Sequence, residues 1–181
     1  MQVISGKYRA RKLKSPDSAR PTLQRIKIST FSLIQEHITE GIKVLDLFAG
    51  SGALGIECIS RGAEFVQFVE KDRRAIACIS QNLKGIDYSL YNVMNVDYID
   101  ALKYFRQTSQ KFDVVFIDPP YESGFYAPAV EIIARYNLLA DNGIMVLEME
   151  KSTKFDFDKS KWSIYKEREY GITKILVLQK N

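Results

Sequence analysis

Val44-Leu45-Asp46-Leu47-Phe48-Ala49-Gly50-Ser51-Gly52-Ala53-Leu54-Gly55 is the stretch on which the fold turns. An apolar run ends in an acid, three glycines follow with the spacing G-x-G-x-x-G, and an apolar helical pattern begins inside them. A strand that turns through glycines into a helix lets a ligand approach the backbone closely at the carboxyl edge of a sheet.

The residues beyond it alternate between the two periods. Strands are expected at 42–48, 65–70, 90–96, 112–118 and 144–149, and helices at 54–61, 73–83, 98–107 and 126–136. Short apolar strands separated by helices imply a parallel sheet covered on both faces, the doubly wound α/β architecture. Asp141-Asn142-Gly143 reads as a turn, and 162–170 with 172–179, around Gly171, as a closing hairpin. Residues 1–40 form an N-terminal extension to this 41–181 unit. In it, residues 2–4 and 8–13 are expected to make a mostly exposed hairpin about Ser5-Gly6. A helix over 22–38 would follow, with Leu23, Ile26, Phe31, Ile34 and Ile38 on one face.

The chain has 181 residues, 46% hydrophobic and 27% charged, which excludes a disordered, collagenous or disulfide-built protein. No apolar run approaches the roughly 20 residues that span a bilayer, and residues 1–11 lack a secretory h-region, so a cytoplasmic protein is expected. Cys58 and Cys78 fall in helical apolar patterns and read as buried free thiols. A single histidine, His37, leaves little material for a metal site, and none is expected. Net charge is +4, but residues 1–30 carry +7, with eight Lys or Arg against Asp17. Such an arm fits either phosphate binding or plain solvation.

Around the glycine loop, Phe48, Ala49, Gly50, Ser51 and Gly52 would line an adenosine-containing cofactor. Glu70, about 20 residues on at the end of the second strand and followed by Lys71, would accept the ribose hydroxyls. Asp46 would repel a pyrophosphate yet suit the ammonium and sulfonium of S-adenosylmethionine, which favours that methyl donor over NAD. The alternative is that Asp46 caps loop amides. Asp97 and Tyr98 fall where the adenine edge should lie, although Asp97 also suits the N-cap of the next helix.

Asp118-Pro119-Pro120-Tyr121 follows the fourth strand. Tandem proline ends the ladder and fixes a rigid loop at the carboxyl edge. An exocyclic amine on a flat heterocycle is a poor nucleophile. The Asp118 carboxylate and Pro119 carbonyl supply two acceptors for its hydrogens, and Tyr121 would stack on the ring. Glu148, at the end of the fifth strand, would line the acceptor pocket or bind a nearby basic group.

With Arg20-Pro21-Thr22, Ser60-Arg61-Gly62-Ala63, Asn82 and Tyr170-Gly171 added to these motifs, the sequence resembles the RsmD family over essentially its whole length. These are 16S ribosomal RNA guanine-N2 methyltransferases. The resemblance implies a class I, Rossmann-like methyltransferase fold with a seven-stranded sheet and S-adenosylmethionine as donor. The acceptor it implies is N2 of one guanine in 16S RNA, in the small subunit or its assembly intermediate. Arg9, Arg11, Lys12 and Lys14 would then contact the RNA backbone, Tyr121 with Phe125 or Tyr126 would meet the base, and Arg20 and Thr22 would form a lid over the donor or the RNA entrance, the alternative for Arg20 being an ion pair to the core. A monomer is the default expectation. Competing readings are N6-adenine or N4-cytosine methylation, a noncatalytic RNA-binding assembly factor, and an NAD-dependent oxidoreductase.

Overall fold

The computed structural model describes residues 1–15, 24–120 and 124–181. Seven strands form one sheet: β1 Lys43–Asp46, β2 Phe65–Val69, β3 Tyr91–Met94, β4 Phe112–Ile117, β5 Leu139–Glu150, β6 Trp162–Tyr170 and β7 Thr173–Lys180. Their order is β3-β2-β1-β4-β5-β7-β6. The first five run parallel, and β7 is antiparallel to both neighbours. The chain therefore reverses its winding between β1 and β4, and in open α/β sheets the crevice above such a point is where ligands bind.

The helices are α1 Gln24–Leu33, α2 Ala53–Ser60, α3 Arg73–Asn82, α4 Tyr98–Gln107 and α5 Tyr126–Tyr136. Even-numbered side chains of β4 and β5 (Val114, Phe116, Ile144, Val146) pack into one core with residues of α1, α2 and α3. Their odd-numbered neighbours (Val115, Ile117, Met145, Leu147) pack with α4 and α5 on the other face. Strands buried on both faces read as continuous apolar runs, which is why they were visible in the sequence.

Three local expectations change. The N-terminal segment closes through one antiparallel bridge, Gln2 to Lys12, and a wider turn than Ser5-Gly6. It is also anchored rather than mostly exposed, since Val3 and Leu13 are buried. The cause is docking on α2: a Cβ on Gly6 would lie 1.7 Å from the Ser60 carbonyl oxygen, so only glycine fits that approach. The helix expected over 22–38 is α1 followed by a 3₁₀ turn, Gln35–His37; its expected start at Thr22 lies outside the described residues. Asp141-Asn142-Gly143 does not precede β5 but bulges within it. Pairing passes from Phe112 with Leu139 to Val114 with Ile144, and Asn142 takes φ +63°.

Glu57 holds the extension to the sheet domain. Its buried carboxylate accepts the Ile4 and Ser5 amides at 2.7 and 3.0 Å, the Lys27 ammonium at 3.0 Å and Arg61 Nε at 2.9 Å. Lys27 is itself fully buried, and that burial holds its pKa below the usual lysine value. Removing one partner of a buried ion pair strands the other. Glu57→Ala is therefore expected to cost about 3–5 kcal/mol in urea unfolding and to expose residues 1–15 to protease. A loss below about 1 kcal/mol would contradict this anchoring role.

Candidate active site

The glycine loop leaves β1 at Asp46 and is pinned on both sides. Leu47 N–H donates to the Phe116 carbonyl, and Ala49 N–H to that of Val69. Gly50 and Gly52 take φ +54° and +74°, and Gly52 is the N-cap of α2. Gly55 serves packing instead, because a Cβ there would lie 2.3 Å from the Phe68 ring. Glu70, half-buried, accepts Gly50 N–H at 2.9 Å through Oε2 and Asp72 N–H at 2.8 Å through Oε1. Each oxygen keeps a second lone pair, so the carboxylate is fixed at the loop mouth with acceptor capacity for a diol.

Asp46 is 2% exposed and accepts Gly55 N–H at 3.0 Å through Oδ2. The amide-capping alternative is thus the observed contact. Burial pushes its pKa up to about 7; the Gly55 bond opposes this and the Glu70 charge adds to it. A carboxyl group half-ionised near neutrality lies under the loop, and a cation bound above it would favour the ionised form.

Asp97 caps α4, accepting Ile99 N–H at 3.0 Å, and its other oxygen lies 3.6 Å from the Lys71 ammonium. Tyr98 is buried against Phe48 and Phe125, with ring centroids 5.2 and 5.3 Å away. Phe48 and Phe125 stack at 6.0 Å, and the Lys71 ammonium is 5.5 Å from the Phe125 centroid. Phe125 therefore joins the wall formed by Phe48 and Tyr98. Tyr126 cannot present its ring to a base as expected: it is buried, and its hydroxyl donates to the Glu148 carbonyl at 2.8 Å.

Asp118 and Pro119 emerge at the same edge, Asp118 half-buried and Pro119 buried, with Pro120 exposed. Tyr121 lies outside the described residues. Asp46 pairs with Phe116, two residues before Asp118, so the two acids are about 8 Å apart from Cα to Cα by strand geometry. Ile117 pairs with Leu147, which sets Glu148 beside Asp118. Glu148 is buried.

Asn82, near the end of α3, ties two segments together. Its buried amide donates to the Ser51 and Lys14 carbonyls and accepts Lys14 N–H, each at 2.9 Å. It fastens the end of the basic arm to the glycine loop. Asn82→Ala removes the bonds to the Ser51 and Lys14 carbonyls, each worth about 1 kcal/mol, and is expected to weaken donor binding roughly tenfold by calorimetry. An unchanged dissociation constant would show that the loop holds its shape without this bond. Elsewhere on the arm Arg9, Lys12 and Lys14 are exposed, while Arg11 is half-buried and donates to the Lys84 carbonyl. Arg20 and Thr22 lie outside the described residues.

A family model described as Conserved hypothetical protein 95 matches residues 1–179. The chain belongs to this family. Among curated relatives, "Putative rRNA methyltransferase YlbH" of Bacillus subtilis is 33% identical over 183 residues, covering 99% of each chain. "Ribosomal RNA small subunit methyltransferase D" of Haemophilus influenzae is also 33% identical, covering 99% of this chain and 93% of that one. The solved structure of the "putative methyltransferase yhhF" of Escherichia coli superposes with a TM-score of 0.86 at 29% identity, covering 99% and 97%. The Conserved hypothetical protein 95 fold seen here, a seven-stranded, mostly parallel sheet with helices on both faces, is that of the class I methyltransferases. The loop and its acids fit S-adenosylmethionine in kind. Glycine backbone allows close approach, Glu70 holds acceptor oxygens that a ribose would use, and Asp46, when ionised, would place negative charge beneath a cation. The family member described here is a methyltransferase dependent on that donor.

Proposed function

We propose that this protein transfers the methyl group of S-adenosylmethionine to the exocyclic N2 amine of one guanine in 16S ribosomal RNA, within the small subunit or its assembly intermediate. The observation that carries this reading is the placement of Asp118 and Pro119 next to Glu148, one strand from the glycine loop. When bound, the donor supplies an electrophilic methyl carbon on a sulfonium. Asp118 and the Pro119 carbonyl accept the two N2 hydrogens, which favours the tetrahedral nitrogen whose lone pair must meet that carbon. As the nitrogen–carbon bond forms, the carbon–sulfur bond breaks and its electron pair stays on sulfur; the amine then loses one proton to Asp118 or water. A guanine presents N1–H beside its N2 amine, so a second carboxylate at Glu148 suits guanine better than adenine, whose N1 is an acceptor. The base must leave its stack to reach this edge. The names of the curated relatives point to the same substrate class. In this reading the enzyme works in the cytoplasm as a monomer.

The test incubates purified protein and labelled donor with small subunits lacking the modification, then identifies the methylated nucleoside by mass spectrometry. N2-methylguanosine, absent with Asp118→Asn, is the expected product. Methylated adenosine or cytidine would overturn the guanine assignment, and tight donor binding without transfer would overturn the enzymatic one.

A further inference from the structure

At the end of α2 remote from the glycine loop, the N-terminal arm meets a second segment that no motif singled out. This is the 3₁₀ turn Tyr88–Leu90, leading into β3. Arg11 donates to the Lys84 carbonyl, and Lys7 lies close enough to Asp87 to lower its pKa, although the Ser89 bonds are the larger cause. Arm and turn therefore form one continuous surface. The turn carries Tyr88, 84% exposed, the largest value among the exposed large hydrophobic side chains of the described residues.

The turn presents this ring rigidly. Asp87 caps it by accepting Ser89 N–H at 2.9 Å, and Ile86 before it is buried in the core. Tyr88 leans on Tyr91 at 5.7 Å, and Tyr91 packs on core residue Phe68 at 6.5 Å. A solvent-facing aromatic costs hydration without gaining burial, so its setting decides what it can bind. On the arm, Lys7 and Arg11 lie 5.5 and 5.8 Å from the Tyr8 ring, and the exposed Lys84 precedes Tyr88 by four residues, with Asp87 the one acid in the turn. Cations that attract phosphate around an open, preorganised ring make a stacking platform for an unpaired base. The turn precedes β3 at the start of the parallel strands, and the glycine loop follows β1 at their carboxyl ends, so RNA reaching both would run along this side of the molecule.

We propose that Tyr88 stacks an unpaired nucleotide of the RNA substrate outside the active site, while Lys84 contacts its phosphate. This rests on the RNA reading above. The experiment measures anisotropy of a labelled single-stranded, adenine-rich RNA of about twelve nucleotides. Tyr88→Ala is expected to weaken binding roughly 5- to 150-fold, the loss of one base–aromatic stack, whereas Tyr88→Phe retains it. Lys84→Ala should reduce the salt slope by about 0.7, one single-strand phosphate contact. Donor affinity should be unchanged in all three. Tyr88→Ala binding as tightly as wild type overturns the platform; the side chain is exposed, and a thermal melt reads whether the variant is folded. Methyl transfer to small subunits by wild type tests the RNA reading separately. Transfer that survives with Tyr88→Ala at unchanged KM sinks the platform alone, and wild type that neither binds RNA nor methylates subunits sinks both.

Discussion

Asp118→Asn is expected to reduce kcat roughly 10²- to 10³-fold while leaving the donor dissociation constant unchanged. The substitution keeps shape and one acceptor oxygen, so the loop held by Pro119 and Pro120 should stay in place. What is lost is the negative charge facing an amine that becomes positive as the methyl arrives. That charge acts mainly in the transition state, and a term present only there lowers kcat without changing ground-state binding. The donor depends instead on the glycine loop, Glu70 and Asp46, across the β1–β4 boundary. Single-turnover methylation of small subunits with saturating donor reads the chemical step, and calorimetry reads donor affinity. A variant that turns over at the wild-type rate would remove Asp118 from the chemistry. One that loses donor affinity by the same factor as rate would place it in the donor site.

The parallel core was legible because its strands are buried on both faces and each is a short apolar run bounded by a turn or an acid. The glycine loop, Glu70 and Asp118-Pro119 were legible because each requirement is local: a positive φ, an acid at a strand end, a residue that cannot continue a ladder. Glu57 and Asn82 were not, since their partners are backbone groups of the arm, 52 to 68 residues away in sequence. No local pattern announces a carboxylate that binds two remote amides. The arm misled for a related reason. Val3 and Leu13 are two apolar residues in a polar stretch, and only docking on α2 makes them core. Tyr126 did carry a signal, because Tyr126, Ala129, Val130 and Ile133 share one helical face and all four are buried. Asp46 was left between two roles by the sequence, and its burial shows why. Its contact with Gly55 is structural, yet its charge state remains available to a bound cation.

Asp46→Asn is accordingly expected to raise stability above neutral pH and to weaken donor binding in the same protein. Burial lifts the folded pKa to about 7, against 3.8 for the solvent-exposed carboxyl of an unfolded chain. Below pH 4 both states are protonated and the group costs nothing. Between pH 4 and 7 the unfolded chain has released its proton and the folded one has not, so wild-type stability falls as pH rises, by about 1.4 kcal/mol per unit. Above pH 7 both are ionised and the loss levels off near 4 kcal/mol. Asparagine keeps an oxygen for Gly55 N–H but has no proton to release, so the stability difference between variant and wild type isolates this group. Urea unfolding at pH 5 and pH 8 should show the variant gaining on wild type by a few kcal/mol between the two. Donor binding carries the opposite sign. The ionised carboxylate attracts the donor's cations, so wild-type affinity should climb through pH 7 with proton release, and the variant's should be weaker and flat across that range. A stability difference independent of pH would mean that Asp46 titrates normally. A wild-type donor affinity that ignores pH would mean that its charge does not reach the donor.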